Sequence, residues 1–471
     1  MKSLILLVFS CIITISTLAQ SISGSWKGDL PNGSAKLGIM FNIKQAGTTY
    51  SATFDVPDQK AFSIPCSAVL SNDSITLSVG AIGAAFKGKL NGNTISGFYI
   101  QNNGKYPLTL SRQLRPQTPV PPYTYNSEDV EYNNADQSVH FGATLTRPKG
   151  SGRFPAVIII SGSGAQDRDG TLFGHKLYAV VADHLTKNGI AVLRIDDRGT
   201  GKTTLGKEGV NATSASFAHD VEAGIDYLKT RTDVDTKHLG LIGHSEGGII
   251  APMVAARRKD VNFIVLWGAP IVGGAVISTQ QNADQLRHAF HLDADPKGKE
   301  ALDAFTGLHG QELQLFSTVS TAEELNTKAV QLFNTWKAAQ TPEVLKRLMV
   351  TDNGLVGQTI TGMYGGLYKQ PWFRNFITYN PVDDLCKVTC PVLAIGGAKD
   401  TQVNAKENMK LINEVLTKSH NKSFKTAELP SLNHLLQTAQ TGSLAEYGQI
   451  EETISPVALN LMSGWIKSQV K

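Results

Sequence analysis

Hydrophobic and polar positions alternate in two different registers along the chain. Up to about residue 114 the period is two. Leu37-Gly38-Ile39-Met40-Phe41-Asn42-Ile43, Ser74-Ile75-Thr76-Leu77-Ser78-Val79 and Thr94-Ile95-Ser96-Gly97-Phe98-Tyr99-Ile100 are short runs of strand character. Asn32-Gly33, Asn72-Asp73, Asn91-Gly92 and Asn103-Gly104 separate such runs as turns. Residues 21–114 therefore predict a small antiparallel barrel or sandwich. No catalytic constellation falls inside it. Trp26 and Tyr99 read as core, with exposed binding aromatics as the alternative. Residues 115–123, with Pro116, Pro119, Pro121 and Pro122, read as a stiff, extended linker.

From about residue 124 strands alternate with helices. Phe154-Pro155-Ala156-Val157-Ile158-Ile159-Ile160, residues 190–195, Phe263-Ile264-Val265-Leu266-Trp267 and residues 392–395 are apolar runs of the kind buried on both faces. Phe217, Val221, Ile225 and Leu228 recur at helical spacing, a strand follows at residues 238–242, and a second helix opens near Glu246. The last helix starts with Ser455 as N-cap and Pro456 at its first position, and carries Val457, Leu461 and Trp465 on one face. Residues 124–471 thus predict an α/β domain with a mostly parallel sheet and helices on both faces. Residues 275–375 break the alternation with helical periodicity (Leu302, Phe305, Leu308, then Leu313 and Leu315). An insertion at the carboxyl edge of such a sheet reads as a cap over the active site, and a lateral decoration is the plainer alternative.

Composition narrows the classes. The chain has 471 residues, room for two to four domains at about 100–200 residues each. Hydrophobic residues make up 41% and charged residues 18%, which argues against long disorder. With 44 basic against 40 acidic residues and no long Lys/Arg run, no electrostatic case for nucleic acid exists. Residues 1–20 differ: Lys2 is the one charge, residues 4–18 are almost wholly apolar, and Thr17-Leu18-Ala19 is a small-residue exit. This reads as a cleaved signal peptide with Gln20 as the mature terminus, implying a periplasmic or secreted protein. An uncleaved anchor, or a lipoprotein box at Cys11, fits less well. Beyond this leader no apolar run reaches the roughly 18 residues of a membrane span. Cleavage leaves Cys66, Cys386 and Cys390. Cys386 and Cys390 could bridge, and no cysteine has metal-ligand spacing.

Gly243-His244-Ser245-Glu246-Gly247 is the sharpest chemical signal. It matches G-x-S-x-G between a strand and an apolar helix, where a tight turn exposes the serine hydroxyl. A serine needs a base, and the base needs an orienting acid, in the chain order Ser, acid, His. Asp400 follows the strand at residues 392–395 and is the acid. Asp383 and Asp384 precede that strand, on the wrong edge. Of the two histidines that follow Asp400, His420 lies in a polar turn and His434 in a loop after a strand at residues 423–429, so His434 is the base. His244 packs locally. The oxyanion donors are the Glu246 amide and one from Ser161-Gly162-Ser163-Gly164-Ala165-Gln166: Ser163, with Gly164 as fallback. Gly199-Thr200-Gly201-Lys202-Thr203-Thr204 imitates a phosphate loop, but Asp196 stands where its first glycine belongs. Gln166-Asp167-Arg168-Asp169-Gly170 holds either a polar substrate end or an internal ion-pair network.

Together, residues 161–170, Asp196-Asp197-Arg198-Gly199-Thr200-Gly201, Gly243-His244-Ser245-Glu246-Gly247-Gly248 and Leu432-Asn433-His434-Leu435 resemble the alpha/beta-hydrolase superfamily. More narrowly, they resemble bacterial carboxylesterases described as serine aminopeptidase-like hydrolases. The resemblance covers roughly residues 125–470. It implies a Ser245-His434-Asp400 esterase acting on a small-molecule ester, with a helical cap and no cofactor. The Ser161-Gly162-Ser163-Gly164 loop departs from the His-Gly-Gly form of many lipases and esterases. The same machinery would serve a peptidase releasing N-terminal residues, since both reactions pass through one kind of tetrahedral intermediate. A third reading makes the β-rich unit a binder of an envelope component.

Overall fold

The computed structural model describes residues 22–32, 35–59, 61–71, 73–350 and 364–471. The expected leader, with Cys11 and Gln20, lies outside the described residues, as do Gly33, Asn72 and residues 351–363 of the expected cap. The chain divides into two compact units, residues 1–114 and 115–471.

The first unit is a closed antiparallel barrel of eight strands: β1 (Gly24–Asn32), β2 (Ala35–Ala46), β3 (Thr49–Val56), β4 (Ala61–Ser71), β5 (Ser74–Val79), β6 (Ala84–Asn91), β7 (Thr94–Gln101) and β8 (Gly104–Arg112). Neighbours in sequence pair as hairpins, and β1 closes on β8 through Trp26↔Arg112 and Lys27↔Ser111. Closure removes the sheet edges, and alternate residues fill the interior. Trp26, Phe41, Phe54, Leu77, Phe86 and Leu110 are buried there. Trp26 and Tyr99 are both core residues, and the Trp26 indole donates to Ile22 O. Neither is available as an exposed binding aromatic.

The second unit is built on an eight-stranded sheet. Its strands are β9 (Asn126–Asn133), β10 (His140–Arg147), β11 (Phe154–Ile160), β14 (Ala191–Ile195), β15 (Val234–His244), β16 (Phe263–Trp267), β17 (Val392–Gly397) and β18 (Phe424–Leu429). The labels β12 (Thr171–Leu172) and β13 (His175–Lys176) fall to a small separate hairpin. The order is β18-β17-β16-β15-β11-β14-β10-β9, parallel from β18 to β14 and antiparallel at β10 and β9. Helices α2 (Ser214–Thr230), α3 (Gly247–Arg257) and Ala405–Lys418 cover one face. Helices α1 (Leu177–Lys187) and Pro456–Gln469 cover the other. Residues 115–123 are counted with this unit: Arg115 donates to Phe173 O and Gly448 O, and Gln117 bonds the backbone of Thr453 and Ile454.

In the last helix the buried face differs from the expected one. Ala458, Leu459, Met462 and Ile466 are buried, Leu461 and Trp465 are half-buried, and Val457 is 63% exposed. Two neighbouring stripes of this helix are apolar, so periodicity alone does not choose between them. Packing against α1 and β16 does. Cys66, Cys386 and Cys390 are all free thiols: Cys386 faces solvent while Cys390 packs against the core, so the pair forms no bridge. Asp383 and Asp384 serve locally, accepting from Asn380 and from the Tyr379 hydroxyl.

Between β16 and β17 the chain leaves the sheet as helices α4 (Gly274–Phe290), α5 (Pro296–Gln314), α6 (Ala322–Ala339), α7 (Pro342–Arg347) and Pro371–Thr378. Leu292, Leu302, Phe305, Leu308, Phe333 and Val344 give them a small core of their own. The insertion reaches the site from two sides. Gln281 of α4 donates to Gln402 O beside Asp400, and the Trp372 indole donates to Glu246 beside Ser245. This is the position of a cap.

Candidate active site

The carboxyl ends of β11, β15, β17 and β18 all point to one edge of the sheet, because these strands are parallel. β15 ends at His244, and Ser245 follows with φ of 52°, in the left-handed region that costs a non-glycine residue about 1–3 kcal/mol. Packing and backbone bonds hold this conformation: Ser245 N–H donates to Trp267 O, and Ser245 O accepts from Gly248 N–H. The flanking glycines are required sterically. A Cβ on Gly243 would lie 2.0 Å from Gly247 O, and one on Gly247 would lie 2.4 Å from Ile160 O.

Asp400 leaves the end of β17 and is buried. Its Oδ1 accepts from the N–H groups of Gln402 (2.9 Å) and Val403 (2.8 Å), and its Oδ2 lies 2.7 Å from His434 Nδ1. An ionised carboxylate only accepts, so Nδ1 carries the proton and Nε2 is left as the basic nitrogen. His434 is 3% exposed. Its loop is stapled by Asn433, whose Oδ1 accepts from the N–H groups of Leu435 and Gln437. The His434 carbonyl accepts from the Trp267 indole. A Cβ on Gly268, at the end of β16, would lie 3.0 Å from the His434 ring, so the floor under this pair has no room for a side chain.

The second unit has the alpha/beta-hydrolase fold. The strand order, the serine on its strand-to-helix turn, and an Asp–His pair on later loops of the same edge together specify this fold. The sequence profile described as Serine aminopeptidase, S33 matches residues 174–306 of this unit. Esterase EstD of Thermotoga maritima is 29% identical to it over 198 residues, 41% of this chain and 43% of EstD. The match thus spans less than half of that relative. Among solved structures, an esterase of Pyrococcus furiosus aligns at TM-score 0.40 and 16% identity, over 76% of this chain and 97% of its own. Est1E from Butyrivibrio proteoclasticus aligns at 0.39 and 15%, over 73% and 98%.

Ser245 stands next to His244, whose ring centroid is 5.0 Å from that of His434. Among the described residues no hydrogen bond joins Ser245 Oγ to His434; the pair that is joined is His434–Asp400. His244 is buried against Trp267, with its Nδ1 3.1 Å from the Tyr178 hydroxyl, and burial holds it well below the ordinary histidine pKa. It is a packing residue.

Residues 161–166 pass beside the nucleophile: a Cβ on Gly162 would lie 3.1 Å from Ser245 Cβ. The Gly162 N–H is taken by the Tyr178 hydroxyl (3.1 Å). The N–H groups of Ser163 and Gly164 are given no acceptor among the described residues. The Glu246 carboxylate is buried and accepts from Ser214 Oγ (2.6 Å) and Trp372 Nε1 (2.9 Å).

A cavity of about 330 Å³ opens beside the turn. Its walls are largely apolar, with Phe141, Leu205, Phe217 and Trp372 among them, and Gly164, Asp197 and Glu246 reach it. Asp197 and Trp372 line this cavity, and pattern reading singled out neither. The sequence places Asp197 in a strand-end loop near the site but gives it no partner.

Two suspect motifs are structural. Arg168 is tied to Asp196 (2.6 Å) and Ala143 O (2.6 Å), and Asp169 to Lys176 and Arg194, so residues 166–170 form an internal network. Gly199 to Thr204 curl round the Asp196 carboxylate, and Lys202 pairs with Glu131.

Proposed function

We propose that the chain is a serine hydrolase of small-molecule carboxylic esters, acting through Ser245, His434 and Asp400. One observation carries this reading: a buried Asp400–His434 pair at the sheet edge where Ser245 is held in a strained turn. Ser245 Oγ attacks the ester carbonyl while His434 Nε2 takes its proton. The resulting oxyanion receives N–H groups from Glu246 and from Ser163 or Gly164. His434 returns the proton to the leaving alkoxide as the ester C–O bond breaks, leaving an acyl-enzyme. Water, deprotonated by the same nitrogen, attacks it and frees the acid. Asp400 holds the ring and stabilises the imidazolium. Similarity to a protein named an esterase supports the reaction class.

The test is hydrolysis of nitrophenyl esters of increasing acyl length by the mature protein and its Ser245→Ala variant. Turnover that the folded variant loses supports the reading, and a variant as active as the wild type overturns it.

A second reading, peptide hydrolysis from a free N-terminus, is favoured by one feature. Asp197 and Glu246 reach the cavity, and neither forms an ion pair among the described residues. Comparing aminoacyl nitroanilides with the matching esters separates the two. We also infer export, from residues 1–20. A mature protein beginning at Gln20 in the extracytoplasmic fraction would support it, and an intact Met1 in the cytoplasm would sink it.

A further inference from the structure

We propose that Asp197 is a positioning residue that holds residues 161–166 in the shape that receives the oxyanion; this rests on the hydrolase reading above. The loop contains Ser161, Gly162, Ser163 and Gly164 and no secondary structure, so its conformational freedom is large and an external template is needed to fix it. Asp197 ties down both of its ends. Its Oδ1 accepts from Ser161 Oγ–H (2.6 Å), its Oδ2 accepts from Gln166 N–H (2.8 Å), and its own N–H donates to Gln166 O (3.0 Å). Gln166 passes the constraint inward. Its Nε2 donates to Ser163 O (3.3 Å), and its Oε1 accepts from the Tyr178 hydroxyl, which in turn accepts from Gly162 N–H. With the Gly162 and Gln166 amides occupied and the Ser163 carbonyl held, the loop amides without an acceptor among the described residues are those of Ser163, Gly164 and Ala165.

The chemistry requires a carboxylate. Two donors converge on its two oxygens, and an ionised carboxylate accepts from both with charge-assisted bonds, whereas a neutral group would have to turn the Ser161 hydroxyl into an acceptor. The charged groups facing it are Glu246 from the nucleophile turn and Asp220 from α2, both acidic. The neighbouring Arg198 guanidinium is engaged by Asp220 and Glu208. Burial, reinforced by these like charges, pushes the Asp197 carboxyl up to about 7. Below that pH the carboxyl carries a proton, the bond to Ser161 must reverse with the hydroxyl accepting, and the ties lose the charge that strengthens them. The acid side of the rate profile therefore carries the Asp197 ionisation.

The experiment measures kcat and KM for a nitrophenyl ester from about pH 5 to about pH 9, for the wild type, Asp197→Asn and Ser161→Ala, with folding checked by thermal melting. A misplaced oxyanion donor costs up to about 10²–10³ in kcat, so Asp197→Asn is expected to lose about 10–100-fold, with KM within about twofold. Its acid limb should lose the Asp197 ionisation and become shallower. Ser161→Ala keeps both ties to Gln166 and should lose less, at unchanged KM. Wild-type kcat and an unchanged acid slope in folded Asp197→Asn would overturn the proposal, as would a loss confined to KM. If Asp197→Asn fails to fold, Ser161→Ala decides: unchanged kcat overturns the proposal. A wild type silent on all esters and unlabelled at Ser245 by a phosphonate would instead overturn the hydrolase reading and this inference with it.

Discussion

Asp400→Asn exchanges one oxygen for an NH₂ group and leaves the side-chain volume unchanged. Its outcome follows from what surrounds the two oxygens. Oδ1 accepts from two backbone N–H groups, and Oδ2 faces His434 Nδ1 at 2.7 Å. The asparagine carbonyl must stay at the Oδ1 position, because turning the amide round would leave two buried N–H groups facing a donor. At about 1–3 kcal/mol for each unsatisfied group, that costs about 2–6 kcal/mol. The NH₂ group then faces His434 Nδ1, and the imidazole must accept there and carry its proton on Nε2. In that tautomer it cannot take the proton of Ser245. Reaching the productive tautomer costs the same 2–6 kcal/mol, so kcat should fall between about thirtyfold and about 10⁴-fold. The upper end equals the loss of ~10⁴ known for this exchange in a Ser-His-Asp protease. The assay is steady-state nitrophenyl ester hydrolysis, with a thermal melt showing that the variant folds. A folded variant within about threefold of wild-type kcat would refute the assignment of Asp400 as the orienting acid.

Asn433→Ala removes the acceptor of two buried N–H groups, so the second unit should lose about 2–6 kcal/mol of stability in a urea titration. Trp372→Ala opens one cavity wall and leaves the Glu246 carboxylate with Ser214 Oγ as its partner. Across a series of acyl esters, the chain length giving the best kcat/KM should move to longer chains. Glu312 of the cap is buried with the Tyr364 hydroxyl as partner, and burial pushes its carboxyl up to about 7. A folded-state pKa above the unfolded value means the folded form holds the proton more tightly, so stability falls as pH rises from about 4.5 to about 7. The loss approaches about 3 kcal/mol at ~1.4 kcal/mol per unit, and Glu312→Gln should abolish it. Denaturation midpoints at about pH 5 and about pH 8 would check this.

The legible parts of this chain are those fixed by local pattern. β11, β14, β16 and β17 are apolar runs flanked by turn residues, and the turn at Ser245 is announced by glycines that a side chain could not replace. The order of Ser245, Asp400 and His434 follows from strand polarity, which places every functional loop at one edge. The illegible parts depend on distant pairing. Alternation cannot say whether β1 finds β8 and closes a barrel, or whether Ala458 or Val457 meets the sheet. Asp197 is silent in the sequence for the same reason. Its role rests on Ser161 and Gln166, which lie more than 30 residues away and are brought to it by the β11–β14 pairing.

The cap leaves the sheet after β16 and returns to it at β17, and these two strands are adjacent, paired from Ile264↔Val392 to Trp267↔Ile395. Its departure and return also touch: a Cβ on Gly274 would lie 2.1 Å from Phe376 O. The excursion of about 100 residues is therefore a closed detour whose two ends are already held together. Because the cost of closing a loop grows only slowly with its length, such a detour tolerates lengthening, trimming or replacement without shifting the strands on either side. Substrate range and chemical machinery can thus diverge independently in descendants of this chain, as an exchangeable tool head on a fixed handle.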